Sequence, residues 1–288
     1  MPRLFPMAVL IWLVLGTAGR AEPIDLGFVA VVCGLDDPHD DEATRNYIDE
    51  VAGWTSLNHV CLDTPEESTH RLAATKGRFA ALLHVEPVFF EGGRRLRWQE
   101  AAGRLWPTYA EAIRAAEVMP AFYLADEPQL RHLDPALLSR AARMIRDEFP
   151  AARIAVVEAY LPDQPLVIPP EIDLWGFNAY TLRDPGADPG YLAQLDRVEA
   201  ALAPHQSLIL VADAMFTPIH ARAGLTPADM AEVALAYERL ARARPRVTAM
   251  IGYTWAGGID GPDELGLREL PAPVRDTWRA IGLRLTAP

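Results

Sequence analysis

Two adjacent carboxylates, Asp126 and Glu127, close the apolar run 121–128 (AFYLADEP) and are followed at once by Pro128. A run of this kind reads as a buried strand, and Pro128, lacking an amide proton, stops its ladder. Acidic side chains at such an exit suit acid/base or nucleophilic work on an acetal, where one carboxyl delivers a proton and another carries charge. Similar groups follow the other apolar runs: Asp36 and Asp37, Asp63, His84 and Glu86, Glu158 and Tyr160, Asn178 and Tyr180, Asp213, and Trp255 with Asp260. Tyrosine and tryptophan rings lie flat against the apolar faces of sugars, and phenol groups bind hydroxyls.

The elements that would gather these groups recur along the chain. Strand-like runs are expected at 26–33, 56–62, 79–85, 121–126, 153–157, 172–177, 207–212 and 247–254. Amphipathic stretches separate most of them. A long helix is expected over 96–118, kinked or broken at Pro107. Asp134 before Pro135, and Thr226 before Pro227 with Asp229 beyond, read as helix caps. The connection 161–171 (LPDQPLVIPPE) has no room for a full helix. Apolar, non-alternating strands between amphipathic helices specify a parallel sheet covered on its outer face. Eight such units over about 260 residues match an α/β fold of the (β/α)8 TIM-barrel type. The alternative, a doubly wound open sheet, lacks its phosphate-cradling turn, since neither GxGxxG nor GxxxxGK[ST] follows a strand. In a barrel the C-terminal ends of all strands ring one mouth.

The strand ends resemble those of the large clan of (β/α)8 glycoside hydrolases that carry an acid/base on strand four and a nucleophile on strand seven. The matching stretches are ADEP, where that clan has Asn-Glu-Pro, WGFNAY on strand six and the tryptophan of GYTWAGG on strand eight. The resemblance implies Glu127 as acid/base, Tyr180 as a hydrogen-bonding neighbour of the nucleophile and Trp255 as a sugar platform. Two residues depart from the pattern. Asp126 replaces the amide that would hold substrate, and Asp213 stands where the clan has a glutamate.

Three mechanisms fit these groups, in this order. Glu127 and Asp213 form a retaining pair with carboxyls about 5–5.5 Å apart. An inverting pair, with the same groups or with Glu127 and Asp37, needs about 6.5–9.5 Å and a water between. In the third, Glu127 is the acid while Asp126 or Glu158 supports substrate-assisted cleavage of an N-acetylated sugar. Asp126, Asn178, Tyr180, Trp255, Glu158, Tyr160, His84 and Asp37 complete the expected substrate site. Each also has a purely structural reading: Asp126 and Glu127 as caps of a helix near Gln129, Asp213 as a turn residue, His84 as a core histidine, and the acids 36–41 as helix-start charges.

Composition narrows the class. The chain has 288 residues, half of them apolar, and a formal charge of -12, which repels phosphate backbones and argues against a nucleic-acid partner. Lys76 is the sole lysine and sits in a polar segment, so Schiff-base chemistry is not expected. Residues 1–21 have the layout of a secretory signal peptide: Arg3, an apolar run over 7–15 and small residues up to Ala21. Residues 22–288 are then read as one domain, secreted or periplasmic and monomeric, with no membrane contact once the leader is cleaved. Cys33 and Cys61 sit in strand-like runs where disulfide geometry is seldom met, so two buried thiols are expected. With no histidine at ligand spacing, no metal and no cofactor are expected.

These observations describe an exported, cofactor-independent hydrolase of glycosidic bonds. The alternatives are a non-catalytic glycan-binding barrel and a metal-dependent deacetylase or amidohydrolase.

Overall fold

The computed structural model describes residues 23–41, 43 and 46–287. The expected leader lies outside the described residues. Eight parallel strands form one sheet: β1 (Asp25–Phe28), β2 (Leu57–Cys61), β3 (Ala80–His84), β4 (Ala121–Asp126), β5 (Ile154–Ala159), β6 (Leu174–Asn178), β7 (Ser207–Asp213) and β8 (Val247–Tyr253). Each strand from β2 to β8 pairs with the next in sequence, and β8 pairs with β1.

The last seam, β1 against β2, is closed largely by side chains. The Leu26, Phe28 and Ala30 amides donate to Ser56 Oγ (3.1 Å), Asn58 Oδ1 (3.0 Å) and His59 Nδ1 (3.3 Å). The backbone contributes as well: Ser56 N–H donates to the Leu26 carbonyl and, past the end of β1, Val32 N–H donates to the His59 carbonyl and Cys61 N–H to the Val32 carbonyl. The two strands approach so closely at Gly27 that a Cβ there would lie 1.4 Å from the Leu57 carbonyl oxygen.

Burial divides the apolar residues into two layers, as strand alternation requires. Leu57, Leu82, Tyr123, Val157, Ile209, Val211 and Ile251 point into the barrel. A larger set packs between strands and helices; Phe28 there meets Trp54, Trp255 and Trp278 at ring distances of 5.2–5.4 Å.

The outer layer holds α1 (Ile48–Val51), α2 (Pro65–Thr75), α3 (Glu86–Phe89), α4 (Ala102–Ala115), α5 (Pro135–Glu148), α6 (Pro189–Ala201), α7 (Pro218–Arg222), α8 (Met230–Ala243) and α9 (Ala272–Leu285). Asp134 caps α5 by accepting from the Ala136 amide at 2.9 Å. Thr226 and Asp229 form a reciprocal capping box, but residues 227–229 make one 3-10 turn before α8 begins. The expected helix over 96–118 is shorter, because 97–98 pairs with 90–91 as a small antiparallel ribbon. The helix runs through Pro107, which lies in its second turn and forfeits only the bond to the Gly103 carbonyl. The acids at 36–41 do not start a helix, since α1 begins only at Ile48. Among the described residues no helix is long and apolar enough to cross a membrane.

Candidate active site at the barrel mouth

The end of β4 is irregular. Tyr123 pairs with Ala155 and Ala125 with Val156, so one extra residue, Leu124, bulges out of the ladder. Without the bulge, side chains three apart on a strand would face opposite sides; with it, Tyr123 and Asp126 both reach the lumen. The Tyr123 hydroxyl donates to Asp126 Oδ1 at 2.5 Å. The next residue, Glu127, adopts a left-handed backbone with φ 47°, an uncommon and mildly costly state for a side chain of this size. Its amide still donates to the Val157 carbonyl at 2.7 Å.

What holds this turn is Glu158. Its carboxylate accepts from the amides of Gln129 (2.8 Å), Leu130 (3.3 Å) and Ala159 (2.8 Å). No helix begins near Gln129, so neither Asp126 nor Glu127 serves as a helix cap there; Glu158 holds the turn, and both strand-end carboxyls line the cavity. On the other side, Glu86 accepts from the Asp126 amide (2.8 Å) and from Arg131 Nη1 (2.7 Å).

A cavity of about 430 Å³ fills the mouth. Leu82, Val157, Ile209, Val211 and Ile251 make it apolar at depth. His84, Tyr123, Asp126, Glu127, Asn178 and Tyr180 also line it, as do Tyr253, whose ring lies 5.7 Å from that of Tyr180, and Asp260. Asn178 Nδ2 donates to Glu127 Oε1 at 3.2 Å, and the Tyr253 hydroxyl to Asp260 Oδ2 at 3.0 Å. A neighbouring recess of about 490 Å³ shares Glu127, Asn178 and Tyr180 and adds Tyr160, Leu182 and Asp188. Glu127 thus stands on the divide between two spaces.

Burial sets the electrostatics. It pushes the Asp126 carboxyl up from 3.8 to about 6; the Tyr123 hydroxyl pulls the other way, and the charges of Glu127 and Glu86 add to the rise. Burial also raises the Tyr123 and Tyr180 phenols well above 10, so both remain donors. The His59 and His84 imidazoles are driven down by burial and are neutral at pH 7.

Of the residues expected from the sequence, His84, Asp126, Glu127, Asn178 and Tyr180 meet in the main cavity, and Tyr160 lines the recess. Four others lie elsewhere. Asp213 is fully buried; its Oδ2 accepts from the Thr181 amide (2.9 Å) and from His220 Nε2 (2.8 Å). The Thr217 amide donates to His220 Nδ1 at 3.1 Å, which leaves the proton on Nε2 and aims it at Asp213. Asp37 is buried against Arg268 at 2.8 Å, which also binds Asp40 and Glu50. Glu158 is spent on the turn. Trp255 is 5 % exposed, donates its indole N–H to Glu50 Oε2 at 2.8 Å and packs in the outer core, so it offers no platform for a sugar. Tyr253, two residues earlier, presents its ring to the cavity instead.

The cysteines correct a further expectation. Cys33 and Cys61 form a disulfide, because the bridge at Val32 and Val60 brings the two Cα atoms to 4.6 Å. The pair lines the cavity beside His59, a histidine that linear spacing did not associate with either sulfur. Sequence reasoning misses Tyr123, His59 and Tyr253 as site residues, although inward parity along β2, β4 and β8 singles them out.

A closed barrel with carboxylates at the strand ends defines the class of fold, and solved structures share it. The chain is similar to native xylanase 10B from Thermotoga maritima, at 12 % identity over 91 % of this chain and 95 % of that one, with a TM-score of 0.55. It is similar to a GH113 beta-1,4-mannanase, at 11 % identity over 90 % and 99 % and a TM-score of 0.57. An Anoxybacillus alpha-amylase matches at 10 % identity over 92 % and 79 %, with a TM-score of 0.56. The fold is therefore a (β/α)8 barrel, which these xylanase, mannanase and amylase structures share. No protein-family model matches the chain, and no curated protein matches it by sequence.

Proposed function

We propose that the chain is an exported glycoside hydrolase that cleaves a poly- or oligosaccharide without a cofactor, with Glu127 as proton donor. The observation that carries this reading is the Asp126–Glu127 pair, turned into a cavity from a left-handed bend at the end of β4, between two spaces that could take sugars on either side of a scissile bond. Similarity in fold to xylanases, a mannanase and an amylase supports a carbohydrate substrate. A disulfide beside the cavity suits an oxidising compartment and so supports export.

Asp213 is bound to His220 and outside the cavity lining, so we assign it a positioning role through Thr181 and the neighbouring Tyr180 rather than attack on the anomeric carbon. The substrate-assisted route then fits best. Glu127 protonates the leaving oxygen as the glycosidic bond breaks. The carbonyl oxygen of the sugar's 2-acetamido group bonds to the anomeric carbon, and ionised Asp126 accepts the acetamido N–H. Water opens the resulting ring and returns the proton to Glu127. Apolar side chains such as Val157, Val211 and Ile251 suit the acetyl methyl.

Incubation with oligosaccharides of N-acetylated and of plain hexoses tests this. Release from the N-acetylated series alone is expected; cleavage of plain hexose chains at equal rate would reject the acetamido route. A second reading, a glycan-binding barrel without catalysis, is favoured by the sealed position of Asp213. It predicts retention of oligosaccharide with no reducing ends liberated.

A further inference from the structure

We infer that the disulfide in the cavity wall conceals a metal site: on reduction, Cys33, Cys61 and His59 become a Cys2His set for a zinc-like divalent ion, with its fourth position open to the cavity. His59 Nδ1 lies 3.4 Å from Cys33 Sγ and 3.9 Å from Cys61 Sγ. With Zn–S near 2.3 Å and Zn–N near 2.0–2.1 Å, the edges of a tetrahedron are about 3.6 Å for S···N and about 3.8 Å for S···S. Both nitrogen-to-sulfur separations already have the required size, so only the sulfur pair must open.

The backbone fixes the ligands independently of the S–S bond. The Val32 amide donates to the His59 carbonyl and the Cys61 amide to the Val32 carbonyl, so residues 33, 59 and 61 stay side by side when the bond is cut. The adjoining imidazoles are buried as well: His59 Nε2 and His84 Nε2 have no hydrogen-bond partner, and the two rings stand 5.3 Å apart. An ion on His59 Nδ1 would displace the 3.3 Å bond from the Ala30 amide, one of the three side-chain bonds of the β1–β2 seam, and leave the ring proton on Nε2.

The chemistry balances with a phosphine reductant: the disulfide takes two electrons and two protons to give two thiols, while the phosphine gains oxygen from water. Zinc then displaces both thiol protons and binds two thiolates and one neutral imidazole. The inference does not depend on the glycosidase reading.

The test is metal uptake by the purified chain before and after phosphine treatment, using Zn2+ in equilibrium dialysis and Co2+ for its thiolate charge-transfer absorption. Near-UV circular dichroism follows the fold. The reduced chain is expected to bind a single ion and show the cobalt band, and the oxidised chain neither. The double variant Cys33→Ser, Cys61→Ser loses both signals, and His59→Gln weakens binding by about tenfold or more. The proposal is overturned if the folded, reduced chain takes up no ion, if oxidised and reduced forms bind alike, if His59→Gln leaves the cobalt band unchanged, or if reduction alone unfolds the barrel.

Discussion

The Tyr123 hydroxyl and Asp126 Oδ1 lie 2.5 Å apart on one strand, brought to the same face by the bulge at Leu124. A buried phenol donating to a buried carboxylate favours its charged form, against the burial that raises its pKa to about 6. In Tyr123→Phe that support is gone. The acidic limb of the pH–rate profile, set by ionisation of Asp126, should move upward from about pH 6. An unmoved limb would detach Asp126 from the reaction.

The same carboxyl couples folding to pH. Its folded value is raised above the ordinary 3.8, so its protonated form is the better tolerated one in the fold. Its contribution to stability is complete below about pH 3.8 and is lost as pH rises through about 6, a change on the order of 3 kcal/mol. Urea unfolding of wild type and Asp126→Asn at pH 4 and pH 7 should show this slope in the former and its loss in the latter.

Glu127 carries the proposed proton transfer. Glu127→Gln keeps the size and the Asn178 contact but has no proton to give at pH 7. Turnover should fall by roughly 10²- to 10⁴-fold with the melting temperature nearly unchanged. Full activity in a stable variant would remove Glu127 from the mechanism.

His220 is buried with its Nε2 proton on Asp213. His220→Ala leaves a buried carboxylate with the Thr181 amide as its remaining donor and should cost about 1–3 kcal/mol by chemical denaturation. A neutral outcome would mean that the pair holds nothing in place.

Gly27 has no alternative. A methyl group there would sit 1.4 Å from the Leu57 carbonyl oxygen, which is backbone and cannot step aside. Gly27→Ala should yield insoluble chain or a barrel destabilised by several kcal/mol, read from soluble yield and the denaturation midpoint.

The barrel was legible in the sequence because its strands are apolar on both faces, and eight such runs leave little choice of architecture. The exits of β3, β4 and β6 were legible too, since His84, Glu127, Asn178 and Tyr180 directly end or follow apolar runs. What stayed hidden depends on irregularity or on distance. The left-handed turn at Glu127 and the bulge at Leu124 shift which residues face inward, and period-two reading passes over both. Asp213 looked like its neighbours among the strand ends because its partner, His220, belongs to a five-residue helix that no periodicity announces. Trp255 read as a ligand platform, whereas Glu50 and Phe28, more than 200 positions away, draw it into the outer core.

The seam between β1 and β2 bears on how the chain assembles. The first strand has its continuous ladder with β8, some 220 residues later, and is tied to its sequence neighbour by three side chains and a few scattered backbone bonds. During synthesis β1 must therefore wait for its ladder partner until nearly the whole polypeptide has emerged. A ribosome that stops before residue 247 releases seven strands with an open flank on each side, exposed to any passing edge of the same kind.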